Sequence, residues 1–174
     1  MAVGTHQGSM RIGIMADTHD CLPLVERAVE VLNREGVGLV LHTGDYVAPF
    51  TMKALERLEA PVIGVFGNND GDREALRKTA LDGGNVDLRG DCARTSVGDL
   101  SIGLVHGHDT ALLTSLMERG DLDVLVSGHT HHPLIGRHGR TLMINPGETC
   151  GYLTGTPTLA VLETGTKEVH LIRL

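Results

Sequence analysis

The chain has 174 residues, a formal net charge of −7 and four aromatic side chains, Tyr46, Phe50, Phe66 and Tyr152. That length suits one domain able to bury a core without disulfide or metal staples. The acidic balance excludes a broad basic face for gripping nucleic-acid phosphates, and so few aromatics exclude a base-stacking platform, so a small substrate is expected rather than a polymer.

Cys21, Cys92 and Cys150 are odd in number and widely spaced, with no C-x-x-C pair. They fit a reducing compartment and ordinary core or loop thiols. No basic start followed by an apolar core opens the chain, and no apolar run approaches membrane-spanning length, so a cytoplasmic protein with no membrane partner is expected. The ordered pattern begins at Met10-Arg11. Residues 1–9 are therefore expected to be a disordered leader, and residues 10–174 one domain.

In chain order, Ile12 to Ala16 reads as a buried strand stopping on Asp17-Thr18-His19. Leu22 to Glu35 has apolar residues at helical spacing, with Pro23 suited to a first turn and Gly36 to the stop. Val37 to Leu41 is a second strand leading to Gly44-Asp45, Pro49 to Leu58 a second helix, and Pro61 to Phe66 a third strand leading to Gly67-Asn68-Asn69-Asp70. This alternation predicts parallel pairing with right-handed crossovers. Asp72 to Leu81 is a more polar third helix.

Short β-type runs follow at Val86 to Leu88, Ala93 to Val97 and Leu100 to Val105, the last two joined by the turn signal Gly98-Asp99. Thr110 to Glu118 reads as a helix and Leu122 to Val126 as a strand reaching Gly128-His129-Thr130-His131. Leu134 to Gly136 and Thr141 to Ile144 form a hairpin, and Thr158 to Leu162 and Val169 to Ile172 are final strands. The expected architecture is α/β, with two mixed sheets packed face to face and helices outside.

The strand ends collect Asp17, His19, Asp45, Asn68, Asp70, His106, His108, His129 and His131. In open α/β sheets these ends form the ligand crevice. Mixed oxygen and nitrogen donors without thiolate suit manganese, nickel, iron or zinc better than calcium, magnesium or a structural zinc site. Ligands spaced i and i+2 face one side if the backbone stays extended there. So many donors exceed one ion and fill two adjacent positions, roughly 3.5 to 4 Å apart, with a bridging carboxylate. Two divalent ions bring four positive charges against the two negative ones of Asp17 and Asp45. The site stays cationic, suited to a phosphate ester, and a hydroxide held by the ions would attack phosphorus in line.

Asp17-Thr18-His19, Gly44-Asp45, Gly67-Asn68-Asn69-Asp70, His106-Gly107-His108 and Gly128-His129-Thr130-His131, in that order, resemble the five motif blocks of the calcineurin-like metallophosphoesterases. Asn145-Pro146-Gly147 resembles a block of their small, single-domain phosphodiesterase branch. The resemblance spans residues 10 to 150. It implies a four-layer α/β/β/α sandwich and two divalent metal ions, manganese first among them. It also implies Asp17, His19 and His131 as ligands of the first ion, Asp45 as the bridge, and Asn68, His106 and His129 as ligands of the second.

One departure matters: Asn69 stands where many members carry a histidine that contacts substrate or assists the leaving group. His108 and Asp70 are the nearest substitutes, and a diester with a good leaving group would suffer least. The resulting expectation is a hydrolase of phosphoric esters, foremost a phosphodiesterase with Asp45, Asn68, His108 and Asp70 as catalytic groups. The alternative is a non-catalytic protein-binding scaffold of the same fold, similar to the retromer subunit. The sequence leaves the oligomeric state open, a homo-oligomer included.

Blander roles stand beside these. Asn68 suits a turn and Asp70 a helix cap. His42 packs or orients neighbours, while His6, His132, His138 and His170 read as solvated or structural. Tyr46 and Phe50 read as packing more than as flanks for a base, and Arg73, Arg137 and Arg140 as solvated surface.

Overall fold

The computed structural model describes residues 9–174. Most of the expected leader therefore lies outside the described residues; Ser9 presents its hydroxyl to the Gly165 amide at 3.3 Å.

Strands β1 (Arg11–Met15), β2 (Leu39–His42), β3 (Val62–Gly64) and β4 (Val86–Leu88) pair in parallel, as the strand–helix alternation predicts. Strand β10 (Thr158–Glu163) runs antiparallel to β1, and β11 (Val169–Arg173) antiparallel to β10. This gives a six-stranded sheet in the order β11-β10-β1-β2-β3-β4. The second sheet has the order β5-β6-β7-β9-β8, built from β5 (Cys92–Val97), β6 (Leu100–Val105), β7 (Val124–Val126), β8 (Leu134–His138) and β9 (Thr141–Asn145). Its inner strands β6, β7 and β9 are parallel, and its edges β5 and β8 are antiparallel.

Ile12, Ile14, Leu41 and Ile63 of the first sheet meet Ile102, Leu104, Val126 and Ile144 of the second in one apolar layer. The outer face of the first sheet is covered by α1 (Leu22–Glu35), α2 (Pro49–Leu55) and α3 (Arg73–Gly83) through Val25, Leu32, Met52 and Leu76. Helix α1 sits close because a Cβ on Gly13 of β1 would come within 2.5 Å of Leu32 Cδ2. On the far face, α4 (Thr110–Arg119) lays the half-buried Leu112, Leu113, Leu116 and Met117 on Val105, Leu125 and Met143. The expected four layers are all present.

Helix α1 has the bounds its periodicity predicts, ended by Gly36 at φ 63°. Helix α2 stops at Leu55 rather than Leu58, because the chain tightens into a turn in which Leu58 N donates to Leu55 O at 3.0 Å. Strand β3 covers half of the expected Pro61 to Phe66; Val65 and Phe66 remain buried, but their amides bond to His42 O, at the last residue of β2, and to Gly90 O, in the loop after β4.

Candidate metal centre

The loops leaving β1 and β2 are tied by three successive backbone bonds: Asp17 N to Gly44 O (3.1 Å), His19 N to Asp45 O (3.0 Å) and Asp20 N to Tyr46 O (3.1 Å). The fully buried His42 reinforces them. Its Nδ1 accepts from Gly44 N at 3.1 Å, so in the neutral ring Nε2–H donates to Thr18 Oγ1 at 3.2 Å. Thr18 Oγ1 in turn donates to Asp45 O at 3.3 Å. Burial, then the nearby His106, pulls His42 down to a pKa of about 3, so it stays neutral. It stacks on Tyr46 at 4.0 Å between ring centroids, and Tyr46 is core, as expected.

On the second sheet, His106 follows β6 and His129 and His131 follow β7. His106 Nδ1–H donates to Thr43 O at 2.7 Å, which turns Nε2 toward Asn68 Oδ1 (3.0 Å) and Asp45 Oδ2 (3.4 Å). His131 Nε2 lies 3.6 Å from Asp17 Oδ1, and His19 Nε2 lies 3.5 Å from Asp45 Oδ2. The His19 and His131 rings stack at 5.3 Å, and the His129 ring meets that of His106 edge-on at 5.1 Å. Asp17, Asp45 and His106 each bring one donor atom within 4.8 Å of the others. The seven side chains matched to the two metal positions thus lie at one end of the sandwich, drawn from both sheets.

The extended backbone expected for the i, i+2 pairs is not what the chain uses. Asp17 (φ 52°), His19 (φ 42°), His129 (φ 68°) and His131 (φ 62°) are all left-handed, as are Asp20, Asp45 and Val47. The same device, left-handed at the first and third residues, serves Asp17-Thr18-His19 on one sheet and His129-Thr130-His131 on the other. Each such non-glycine residue costs about 1 kcal/mol or more, and strain of this kind gathers at functional sites.

Asp17 Oδ1 and His19 Nε2 are buried with no hydrogen-bond partner. Orphaned atoms of these types, facing the neighbours just named, fit a cation supplied from outside the chain. Burial raises Asp17 to a pKa of about 6 despite the nearby His106 and His131. Burial also acts to raise Asp45, but bonds from His106 and from the amide and side chain of Asn69 more than offset it and hold the carboxyl well below the usual range. Burial lowers His106 too, and Asp45 beside it wins, leaving it above the ordinary imidazole value. Burial lowers both His19 and His129.

Asn69, at the position where many members of the resembled family carry a histidine, donates Nδ2 to Asp45 Oδ2 at 2.7 Å and its amide to Asp45 Oδ1 at 2.8 Å. It steadies the acid rather than pointing at a leaving group. Asp70 is buried behind the same loop, accepting from Asp45 N (3.1 Å), Gly67 N (2.7 Å) and Val47 N (2.8 Å). Three amide donors make this carboxylate a brace for the Asp45 loop, and Asp72 rather than Asp70 caps α3. His108 is exposed, its ring 5.5 Å from that of His106 and 6.2 Å from that of His129.

Phe50 departs from the packing expectation, with 64% of its surface exposed. Exposed Tyr152 lies with its ring 6.4 Å from that of His19. Arg73 pairs with Asp91 at 2.7 Å and donates to Gly67 O at 3.2 Å, and Arg140 lies 3.7 Å from Asp123.

Two residues escaped the sequence reading. Cys150, expected as an ordinary thiol, is buried with Sγ within 4.8 Å of donor atoms on His19 and His131, its pKa pushed up by burial to about 12. Glu148 is buried and bonds to His131 Nδ1 at 2.6 Å. Burial acts to raise it, but the bonds from His131, Thr154 and Leu153 bring it down to about 2. The available signal was position: both lie within three residues after Asn145-Pro146-Gly147.

Comparison with known proteins agrees with this geometry. The profile of the calcineurin-like phosphoesterase superfamily domain matches residues 10–167. A phosphodiesterase of Methanocaldococcus jannaschii is 42% identical over 165 residues, covering 95% of this chain and 99% of that protein. The solved structure of an archaeal phosphodiesterase, at 42% identity, superposes with a TM-score of 0.90 over 95% of this chain and 100% of the other. Vacuolar protein sorting 29 of Cryptosporidium parvum shares the fold at 21% identity, with a TM-score of 0.68 over 95% of this chain and 98% of its own. Among the described residues no helix is long and apolar enough to cross a membrane. With a profile covering nearly its whole length and a relative at 42% identity, the chain belongs to the calcineurin-like phosphoesterase superfamily.

Proposed function

We propose that the chain is a metal-dependent phosphodiesterase with a dinuclear centre, acting on a small phosphodiester. Asp17, His19 and His131 would hold the first ion, Asn68, His106 and His129 the second, and Asp45 would serve both. The donor set of carboxylate, amide and imidazole suits manganese, with nickel, iron and zinc as alternatives. When bound, two divalent ions supply Lewis acidity and a water acidic enough to act as nucleophile near neutral pH.

The chain's own residues do the rest. Asp17 and Asp45 neutralise only half of the charge of two divalent ions, so an otherwise acidic protein presents an anion-attracting spot at this one place. Asn69 and Asp70 keep Asp45 from moving, through its carboxylate and its amide respectively. Tyr152 beside His19 offers apolar surface to the organic part of the ester. His108, exposed beside the second ligand set, is the group placed to hand a proton to the leaving oxygen, since Asn69 is committed to Asp45. One catalytic domain over residues 10–174 carries all of this. The three unpaired cysteines among the described residues suit the cytoplasm.

The observation that carries the proposal is the pair of orphaned atoms, Asp17 Oδ1 and His19 Nε2, buried among five further donors. The relative named as a phosphodiesterase supports the diester. The test is hydrolysis of a chromogenic phosphodiester beside its monoester by protein stripped of metal and then given manganese, nickel or zinc singly. Diester turnover that disappears on stripping and returns with metal, and is lost in Asp45→Asn, is the expected result. Turnover indifferent to chelation, or preference for the monoester, overturns the reaction class or the substrate class respectively.

A further inference from the structure

Glu148 lies between β9 and β10, on a segment strapped to the end of β1 by bonds from Thr149 N to Ala16 O (2.9 Å) and from Cys150 N to Asp17 O (3.1 Å). Its side chain is fully buried, and burying a carboxylate is costly unless its oxygens are satisfied. Here they are. Oε2 accepts from His131 Nδ1 at 2.6 Å and from Cys150 Sγ at 3.4 Å. Oε1 accepts from Thr154 N at 2.6 Å and Thr154 Oγ1 at 2.7 Å, and Leu153 N lies 3.1 Å from both oxygens.

A carboxylate so surrounded only accepts. The 2.6 Å contact therefore places a proton on His131 Nδ1 and leaves the Nε2 lone pair of the neutral ring on the side of Asp17 Oδ1, 3.6 Å away. We infer that Glu148 is a positioning residue for the first metal position, fixing the tautomer and ring orientation of His131 so that Nε2 is already presented as a ligand. Outer carboxylates of this kind raise the basicity of the histidine they hold, and removing one typically costs about 10- to 100-fold in metal affinity. The inference rests on the proposed assignment of His131 to the first ion. The other oxygen of Glu148 anchors Leu153 and Thr154, so a purely structural role must be separated from the positioning one.

The test is calorimetric titration of the full chain with manganese alone, comparing wild type with His131→Ala, Glu148→Gln and Thr154→Val. Wild type is expected to bind two ions. Glu148→Gln is expected to weaken one of them about 10- to 100-fold and leave the other unchanged. Thr154→Val removes a donor from the far oxygen only, so it should lower the melting temperature without moving either affinity. Imidazole 15N shifts of the metal-free wild-type chain are expected to show His131 protonated at Nδ1.

Wild-type affinities in Glu148→Gln, an equal loss in Thr154→Val, or a His131 proton on Nε2 each overturn the positioning role. Should Glu148→Gln fail to fold, the 15N measurement on wild type decides. Two tight ions retained by His131→Ala remove the ligand assignment itself, and with it the inference.

Discussion

Asp17 Oδ1 and His131 Nε2 face each other at 3.6 Å with no hydrogen bond between them. In the absence of a cation this is a buried carboxylate oxygen without a partner, a state that costs about 1–3 kcal/mol. Asp17→Asn puts an amide donor opposite the Nε2 lone pair that Glu148 leaves free. In chelator above pH 6, where Asp17 is charged, the variant should unfold at higher temperature than wild type, by about 1 kcal/mol of stability. Added manganese should reverse the order, because the variant lacks the first ion's share of the ligand-binding term, about 2.7 kcal/mol at 100 times the dissociation constant. A chelated variant that melts below wild type contradicts this account.

His42 is the most deeply buried of three imidazoles, with His19 and His129, whose lowered pKa values tie stability to acid. Its folded pKa of about 3 is depressed from 6.5, so its contribution is whole above pH 6.5 and is lost as pH falls through about 3. The slope for one proton is about 1.4 kcal/mol per pH unit. Asp45 and Glu148 are depressed carboxylates, whose losses begin only below the ordinary carboxylate range. Asp17, raised to about 6, works the other way and loses stability as pH rises through that value. Urea unfolding of the metal-free protein between pH 6.5 and 4.5 should therefore show a shallower decline in His42→Asn than in wild type, even though the variant starts less stable. Parallel profiles would exclude His42 as an acid-sensitive group.

Gly67 is required by space. An added Cβ would overlap both the carboxylate and the amide nitrogen of Asp45, whereas one at Gly71 meets nothing within 4 Å. Gly67→Ala is expected to lose about 1–3 kcal/mol and most metal binding, while Gly71→Ala keeps both. Melting curves with and without manganese distinguish the two, and equal behaviour would refute the steric account.

Val47 is a β-branched residue at φ 78°, its amide held by Asp70 Oδ1 at 2.8 Å. Val47→Gly keeps that bond and removes the clash of Cβ with the backbone. It should stabilise the protein by about 1 kcal/mol, read as an increase in denaturation midpoint. An unchanged or lower midpoint would show that the left-handed valine is not strained.

The elements were legible because their causes are local. Leu24 to Leu32 repeats at helical spacing, Pro23 and Gly36 punctuate it, and α1 has the bounds that pattern sets. The ligands were legible as acids and histidines that interrupt buried apolar runs. What stayed hidden depends on approach between distant segments. Nothing near His131 in sequence announces Glu148, 17 residues on, and nothing in Asp17-Thr18-His19 announces left-handed residues at both ends. Asn69 differs again. Its identity was plain, yet only the close passage of the β2 loop shows that its amide is spent on Asp45.

The candidate ligands come from both sheets: Asp17, His19, Asp45 and Asn68 from the ends of β1, β2 and β3, and the three histidines from β6 and β7. Beneath these groups the two sheets are held apart by one apolar layer that includes Ile12, Ile14, Leu41, Ile102, Leu104 and Val126. The span of the centre is thus gauged by the thickness of a hydrocarbon spacer, close-packed and nearly incompressible, that touches no metal. Trimming a methyl group from that spacer reaches the reacting atoms as a change of separation, and a misplacement of about 1 Å can cost about 100-fold in rate. The most conservative-looking interior of the molecule is therefore its ruler.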